Sequence, residues 1–188
     1  MPREPAYREW LKQDLGGLID ALDLPDLQKH FLRSRWLDQV IWLEATADRN
    51  RVGYYAFRLT AIIGGVIVPA LVSLNVSNEV GVAVVRWTAF ALSLLVAISV
   101  AVEEFFHFGE RWRHYRRTSE LLKSEGWQFF QKSGRYQASA RHEDAYPAFA
   151  AQVELLTQQE VERYITEVVR EQRDSAISKP VDKVQPGG

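Results

Sequence analysis

The chain has 188 residues, a net charge of -1, 25% charged residues and no cysteine. Without a basic surplus there is no electrostatic footprint for nucleic acid, and without cysteine there are no disulfides or zinc–thiolate sites. Mean hydropathy is -0.21, a soluble-looking average that hides two strongly apolar stretches.

In chain order, Tyr7, Leu11, Leu15, Leu18 and Leu22 recur every three or four residues. That spacing predicts an N-terminal amphipathic helix over 4–22, weakened in its middle by Gly16-Gly17. Asp23-Leu24-Pro25 is a stop and restart. From Asp26 to Val76 no strong breaker occurs before Gly64-Gly65 and Pro69. One long helix is expected there, its lower part rich in Trp36, Trp42, Tyr54, Tyr55 and Phe57.

That helix leads into the first apolar stretch, Leu59–Val76, and Ser77-Asn78-Glu79 separates it from the second, Val80–Val102. The stretches hold 18 and 23 residues, and a hydrocarbon core takes about 20 helical residues to cross. A transmembrane hairpin follows, with both termini on one side. No cleavable signal peptide is recognisable at the start, so the first span is expected to act as its own insertion signal. Arg49, Arg51 and Arg58 precede the hairpin, and Arg111, Arg113, Arg116 and Arg117 follow it; only Arg86 lies toward the turn. Seven cations against one predict that both termini are cytoplasmic and the turn lies outside.

Beyond the hairpin, Val80 to about Lys132 has no proline, and a second long helix is expected to leave the membrane near Phe106 and continue through Arg111–Lys123. Ser133-Gly134-Arg135-Tyr136 reads as a loop. A further amphipathic helix is predicted from His142 to about Arg173 on Tyr146, Phe149, Val153, Leu156, Val161, Tyr164, Ile165 and Val168. The tail from Asp174 lacks a core-forming pattern and is expected to be disordered. The predicted fold is an all-α membrane protein: N-terminal cytoplasmic helices (1–58), a two-helix transmembrane hairpin (59–106), a cytoplasmic helical region (107–173) and a tail (174–188).

Several positions in this frame carry candidate chemistry. Small residues form stripes at i, i+4: Ala61, Gly65, Pro69 and Ser73 on the first span, and Ala89, Ser93, Ala97 and Ala101 on the second. Such stripes let helices approach closely in lipid; they either zip the hairpin or face other subunits or a water path. Pro69 is expected to bend the first span. Arg86, Ser93 and Glu104 fall within about 20° on a helical wheel. Glu103 and Glu104 sit at the inner end, where they either pair with Arg58 or Arg111 or, in several copies, form an acidic ring that attracts cations. Arg86 is expected to snorkel outward. The basic, aromatic run Arg111–Arg117 fits the membrane interface and anionic lipid better than nucleic acid. His107, Glu110 and His114 have helical ligand spacing but lack a further ligand in sequence. No nucleophile–base pair or phosphate loop stands out, so neither enzyme activity, nor a metal, nor a cofactor is expected.

The segments Arg35-Trp36-Leu37-Asp38-Gln39-Val40-Ile41-Trp42-Leu43-Glu44, Pro69-Ala70-Leu71-Val72-Ser73-Leu74-Asn75, Phe108-Gly109-Glu110-Arg111-Trp112-Arg113-His114-Tyr115-Arg116 and Leu122-Lys123-Ser124-Glu125-Gly126-Trp127 occur in this order. Together they resemble the SLATT-type bacterial two-transmembrane proteins, in a branch labelled a domain of unknown function, over roughly residues 30–166. The resemblance implies a helical pore-forming protein with cytoplasmic helices and no catalytic residues. Many members of that family are proposed to open when triggered, so a stand-alone channel and a separately encoded trigger protein are both open here. The expected function is therefore a homo-oligomeric ion channel, cation-permeable, with Ser93, Ala97, Glu103 and Glu104 toward the pore and inorganic cations as its cargo. The alternative is a non-conducting membrane scaffold that binds a cytoplasmic partner.

Overall fold

The computed structural model describes residues 4–177, with side chains over 6–162. All regular elements among these residues are helical. Helix α1 spans Glu4–Ala21. Helix α2 (Asp26–Phe31), a π-helical turn (Leu32–Leu37) and α3 (Asp38–Val72) run on as one 47-residue helix, Asp26–Val72. Helix α4 spans Glu79–Phe106, α5 Phe108–Phe130, and α6 His142–Ile177. The predicted disordered tail begins inside α6, and its residues from 178 lie outside those described.

The chain divides into two compact units: residues 1–21 with 29–120, and residues 22–28 with 121–188. In the first, α1 packs on the π-helical turn and on α3. Its buried face is Leu11, Leu15 and Ile19. Ile19 replaces the expected Leu18, which is exposed together with Tyr7; a strict i, i+4 row centres the buried stripe one residue later. Between Leu32 and Leu37 the Asp38 N–H reaches back to the Arg33 carbonyl, five residues away, which is the π-helical pattern. Leu32, Trp36, Leu37, Val40, Leu43 and Ala47 continue the core along this helix.

Helices α3 and α4 pair as the hairpin. Helix α3 ends at Val72, earlier than the predicted end at Val76, and the link is correspondingly longer, 73–78. Pro69 thus stands in the last turn rather than mid-span, where it removes the donor that would reach the Gly65 carbonyl. Ser73 closes the helix: its N–H bonds the Pro69 carbonyl at 3.0 Å and its Oγ the Ala70 carbonyl at 2.8 Å. Asn78 opens α4 by accepting the Gly81 N–H at 2.8 Å, an N-cap of the ordinary kind.

The second predicted helix is also interrupted. His107 adopts left-handed backbone, φ 50°, and separates α4 from α5. A β-carbon makes that conformation costly, and an aromatic stack offsets it: Phe106 lies 5.3 Å from Phe108, which stacks on Phe57 at 5.7 Å.

In the second unit, Phe129 at the end of α5 stacks on Phe149 of α6 with centroids 4.4 Å apart. Tyr136, from the predicted loop, is buried in a 3-10 turn (Gly134–Tyr136) and its hydroxyl donates to buried Glu125. Burial and this bond push the Tyr136 phenol well above its ordinary range. The inner face of α6 is Ala145, Phe149, Val153 and Thr157. Val161, predicted for that face, is 53% exposed, and the side chains of Tyr164, Ile165 and Val168 lie outside those described.

Candidate functional site

The most apolar windows of Asp26–Val72 and Glu79–Phe106 have mean hydropathies of 1.8 and 2.0, yet only 6% and 11% of their residues are buried. A core helix of a soluble protein buries its apolar stripe; here Ile62, Ile63, Val66, Phe90, Leu94 and Leu95 are exposed.

What is buried between the arms is small. Gly64 is buried and Val96 of α4 packs over it so closely that a Cβ there would overlap the Val96 Cγ2. On α4 the inward positions are Ala89, Leu92, Val96 and Ser99, a three-four-three spacing that keeps one seam facing the partner helix. The predicted packing residues Gly65, Pro69 and Ser73 lie elsewhere: all three are exposed, and a Cβ on Gly65 would meet open space. Only Ala89 of the α4 small-residue stripe is buried; Ser93, Ala97 and Ala101 are exposed.

The exposed flank is therefore not consumed by hairpin packing. Ser93 donates its hydroxyl to the Ala89 carbonyl at 2.7 Å, which satisfies it within its own helix. Glu104 is exposed and, at 100° per residue, lies about 20° from Ser93. Glu103 is half-buried and turns about 80° the other way, toward the seam. Among the described residues neither carboxylate has an ion-pair partner, and neither Arg58 nor Arg111 reaches them. The expected interfacial pairing is absent there, because Arg111 belongs to a helix redirected at His107.

An aromatic group collars the lower end of the hairpin. Trp112 stands 6.3 Å from Tyr54 and 6.0 Å from Tyr55. Gly109 allows Tyr54 to lie against the α5 backbone, since a Cβ would come 2.8 Å from its ring. Below the collar is a charge cluster that sequence reading missed. Glu44 is 1% exposed, accepts from Arg116 Nη1 at 2.7 Å and from Ser119 Oγ at 2.8 Å. Arg116 also pairs with Glu120 at 2.8 Å. Arg116, predicted for an interfacial cluster with Arg111, Arg113 and Arg117, is exposed like Arg113 and Arg117 but is held by Glu44 and Glu120. Desolvation, then repulsion from Glu44, raises the Asp48 carboxyl above its ordinary value against the pull of Arg8 and Arg116.

At the turn end the arms flank an open cavity of about 520 Å³, lined by Val68, Val72, Val82, Val85 and Phe90 among others, with Arg86, Asn75 and Ser93 as its polar groups. Among the described residues no three metal-ligating side chains converge, His107, Glu110 and His114 included.

These features define an all-helical protein with two long apolar helices of a length that can span a membrane. The model of the family described as "Protein of unknown function (DUF4231)" matches residues 38–144. That match covers more than half of the 188 residues, and the chain belongs to this family. No curated protein and no solved structure matches the chain.

Proposed function

We propose that this chain is the subunit of a homo-oligomeric, cation-permeable pore in the bacterial inner membrane, related to the SLATT-type proteins. On this reading the hairpin crosses the bilayer and returns, and both termini are cytoplasmic, as the arginine distribution favours. Because α3 ends at Val72, about 20 helical residues reach back to near Gly53. That puts Tyr54, Tyr55 and Trp112 at the inner interface, where aromatic belts sit.

The observation that carries the reading is the unoccupied flank of α4. The seam buries Ala89 and Ser99 and half-buries Val96, while Ser93, Ala97 and unpaired Glu104 are exposed on one adjoining side. A single hairpin encloses no conduit, so several copies are needed, each contributing that flank to the wall. The carboxylates then ring the cytoplasmic mouth and concentrate cations. Assembly and gating fall to the cytoplasmic helices, with a separately encoded protein as trigger.

The test is reconstitution in liposomes under asymmetric salt. Glu103→Gln/Glu104→Gln is expected to move the reversal potential toward zero with assembly intact, Glu104→Gln alone giving the larger share. Unchanged reversal potentials sink the assignment of these residues. A detergent particle that stays monomeric or dimeric at all concentrations, with no flux, favours the scaffold instead.

A further inference from the structure

The cavity at the turn end of the hairpin belongs to neither the seam nor the carboxylate mouth. Its volume of about 520 Å³ lies in the usual range for a bound small molecule or a lipid segment. Val68, Val72, Val85 and Phe90 give it apolar walls. Its polar groups are Asn75, Arg86 and Ser93. Ser93 has spent its donor on the Ala89 carbonyl, so the donors left to a ligand are the Arg86 guanidinium and the Asn75 amide. Two donors, one of them a fixed positive charge, select an anion.

Arg86 is placed to take one. It lies about 10 Å along α4 from the helix start at Glu79, within an apolar segment. Among the described residues it has no ion-pair partner. Arg86 is exposed, so near the end of a span its guanidinium can snorkel to the headgroup level, where a charge-assisted contact to phosphate is available to it. The valine walls beside it suit an acyl chain and not a free inorganic ion.

We propose that this cavity binds one anionic phospholipid, with the phosphodiester on Arg86 and Asn75 and an acyl chain along Val68, Val72, Val85 and Phe90. The proposal rests on the membrane reading of the hairpin but not on conduction. It also answers a difficulty for cation permeation. Arg86 lies on the same flank of α4 as Glu104, and bare guanidinium groups at the outer end would repel cations. A bound phosphate cancels that charge.

The experiment uses the full chain, first floated with vesicles of mixed phosphatidylglycerol and phosphatidylcholine. Bound lipid is then counted by native mass spectrometry from mild detergent. Wild type is expected to retain phosphatidylglycerol in preference to phosphatidylcholine, and inorganic phosphate is expected not to displace it. Arg86→Gln is expected to lose that preference by about tenfold, the factor carried by one charge-assisted contact, with Arg86→Lys between the two. Val82→Trp, which fills the cavity and leaves Arg86 in place, is expected to lose retention as well. Equal retention of the two lipids, displacement by inorganic phosphate, or full retention in either Arg86→Gln or Val82→Trp overturns the site. Failure to float overturns the membrane reading itself, a result separable from floating without lipid preference.

Discussion

In the hairpin the large apolar side chains are outside and the small ones inside; in the stalk beneath it the order is reversed. Along α3, Gly64 takes the closest contact with α4 while Ile62, Ile63 and Val66 point away. Some twenty residues earlier in the same helix, Trp36, Leu43 and Glu44 are buried and the exposed positions are mostly polar or charged, with Leu27, Trp42 and Val52 as exceptions. One continuous helix thus changes its rule of packing along its length. Water drives the stalk to bury its large apolar groups. The hairpin has no such drive toward its own interior if hydrocarbon surrounds it, and close backbone approach becomes the main source of contact.

The largest expected effect sharpens the stalk side of the contrast. Arg116→Met leaves the Glu44 carboxylate buried without its guanidinium partner, the Ser119 hydroxyl still donating to it. Breaking a buried pair from one side costs about 3–5 kcal/mol; the half-exposed guanidinium places this one near 3 kcal/mol by the same estimate. Denaturant unfolding of the solubilised protein measures it. Adding Glu44→Gln is expected to recover much of the loss, and a double variant no better than Arg116→Met would deny the coupling.

A smaller effect tests the hairpin side. Gly64→Val drives a side chain into Val96 and is expected to cost about 1–3 kcal/mol, the usual range for overpacking. Gly65→Val, in open space, is expected to fall within about 0.5 kcal/mol. Val96→Ala should rescue the first. Equal costs at the two glycines would mean that the seam is not where the structure puts it.

This pair also shows what was legible in the sequence. Hydropathy marks both arms, because an apolar run needs no partner to be recognised. Choosing Gly64 over Gly65 requires knowing which side of α3 meets α4, and adjacent glycines leave that choice open. The break at His107 carries no proline or glycine at that position; it arises from stacking among Phe57, Phe106 and Phe108, two of them local and one about fifty residues away. The π-helical turn at Leu32–Leu37 is equally silent, since its residues also suit an α-helix. Glu44 and Arg116, 72 residues apart, look like ordinary charges until the fold brings them together. Tyr136 reads as loop in the sequence but closes a 3-10 turn and is buried, because turn residues announce the turn and not what lies beneath it.

Asp48, one turn from Glu44, gives the smallest effect and the clearest sign. Its side chain is 15% exposed and lies 3.7 Å from Arg51, which by itself suggests a stabilising ion pair. Desolvation and Glu44 nevertheless raise its carboxyl above 3.8. In the folded state it therefore holds a proton to higher pH than in the unfolded state. The stability this proton contributes is complete below pH 3.8 and is lost as pH rises through the raised value. At neutral pH the charged carboxylate opposes folding, so Asp48→Asn is expected to be more stable than wild type there, with the advantage shrinking to nothing in acid. Thermal unfolding across a pH series reads both. If the variant is instead the less stable at neutral pH, the Arg51 contact outweighs the buried charge of Glu44, and the stalk tolerates carboxylates more readily than its burial implies.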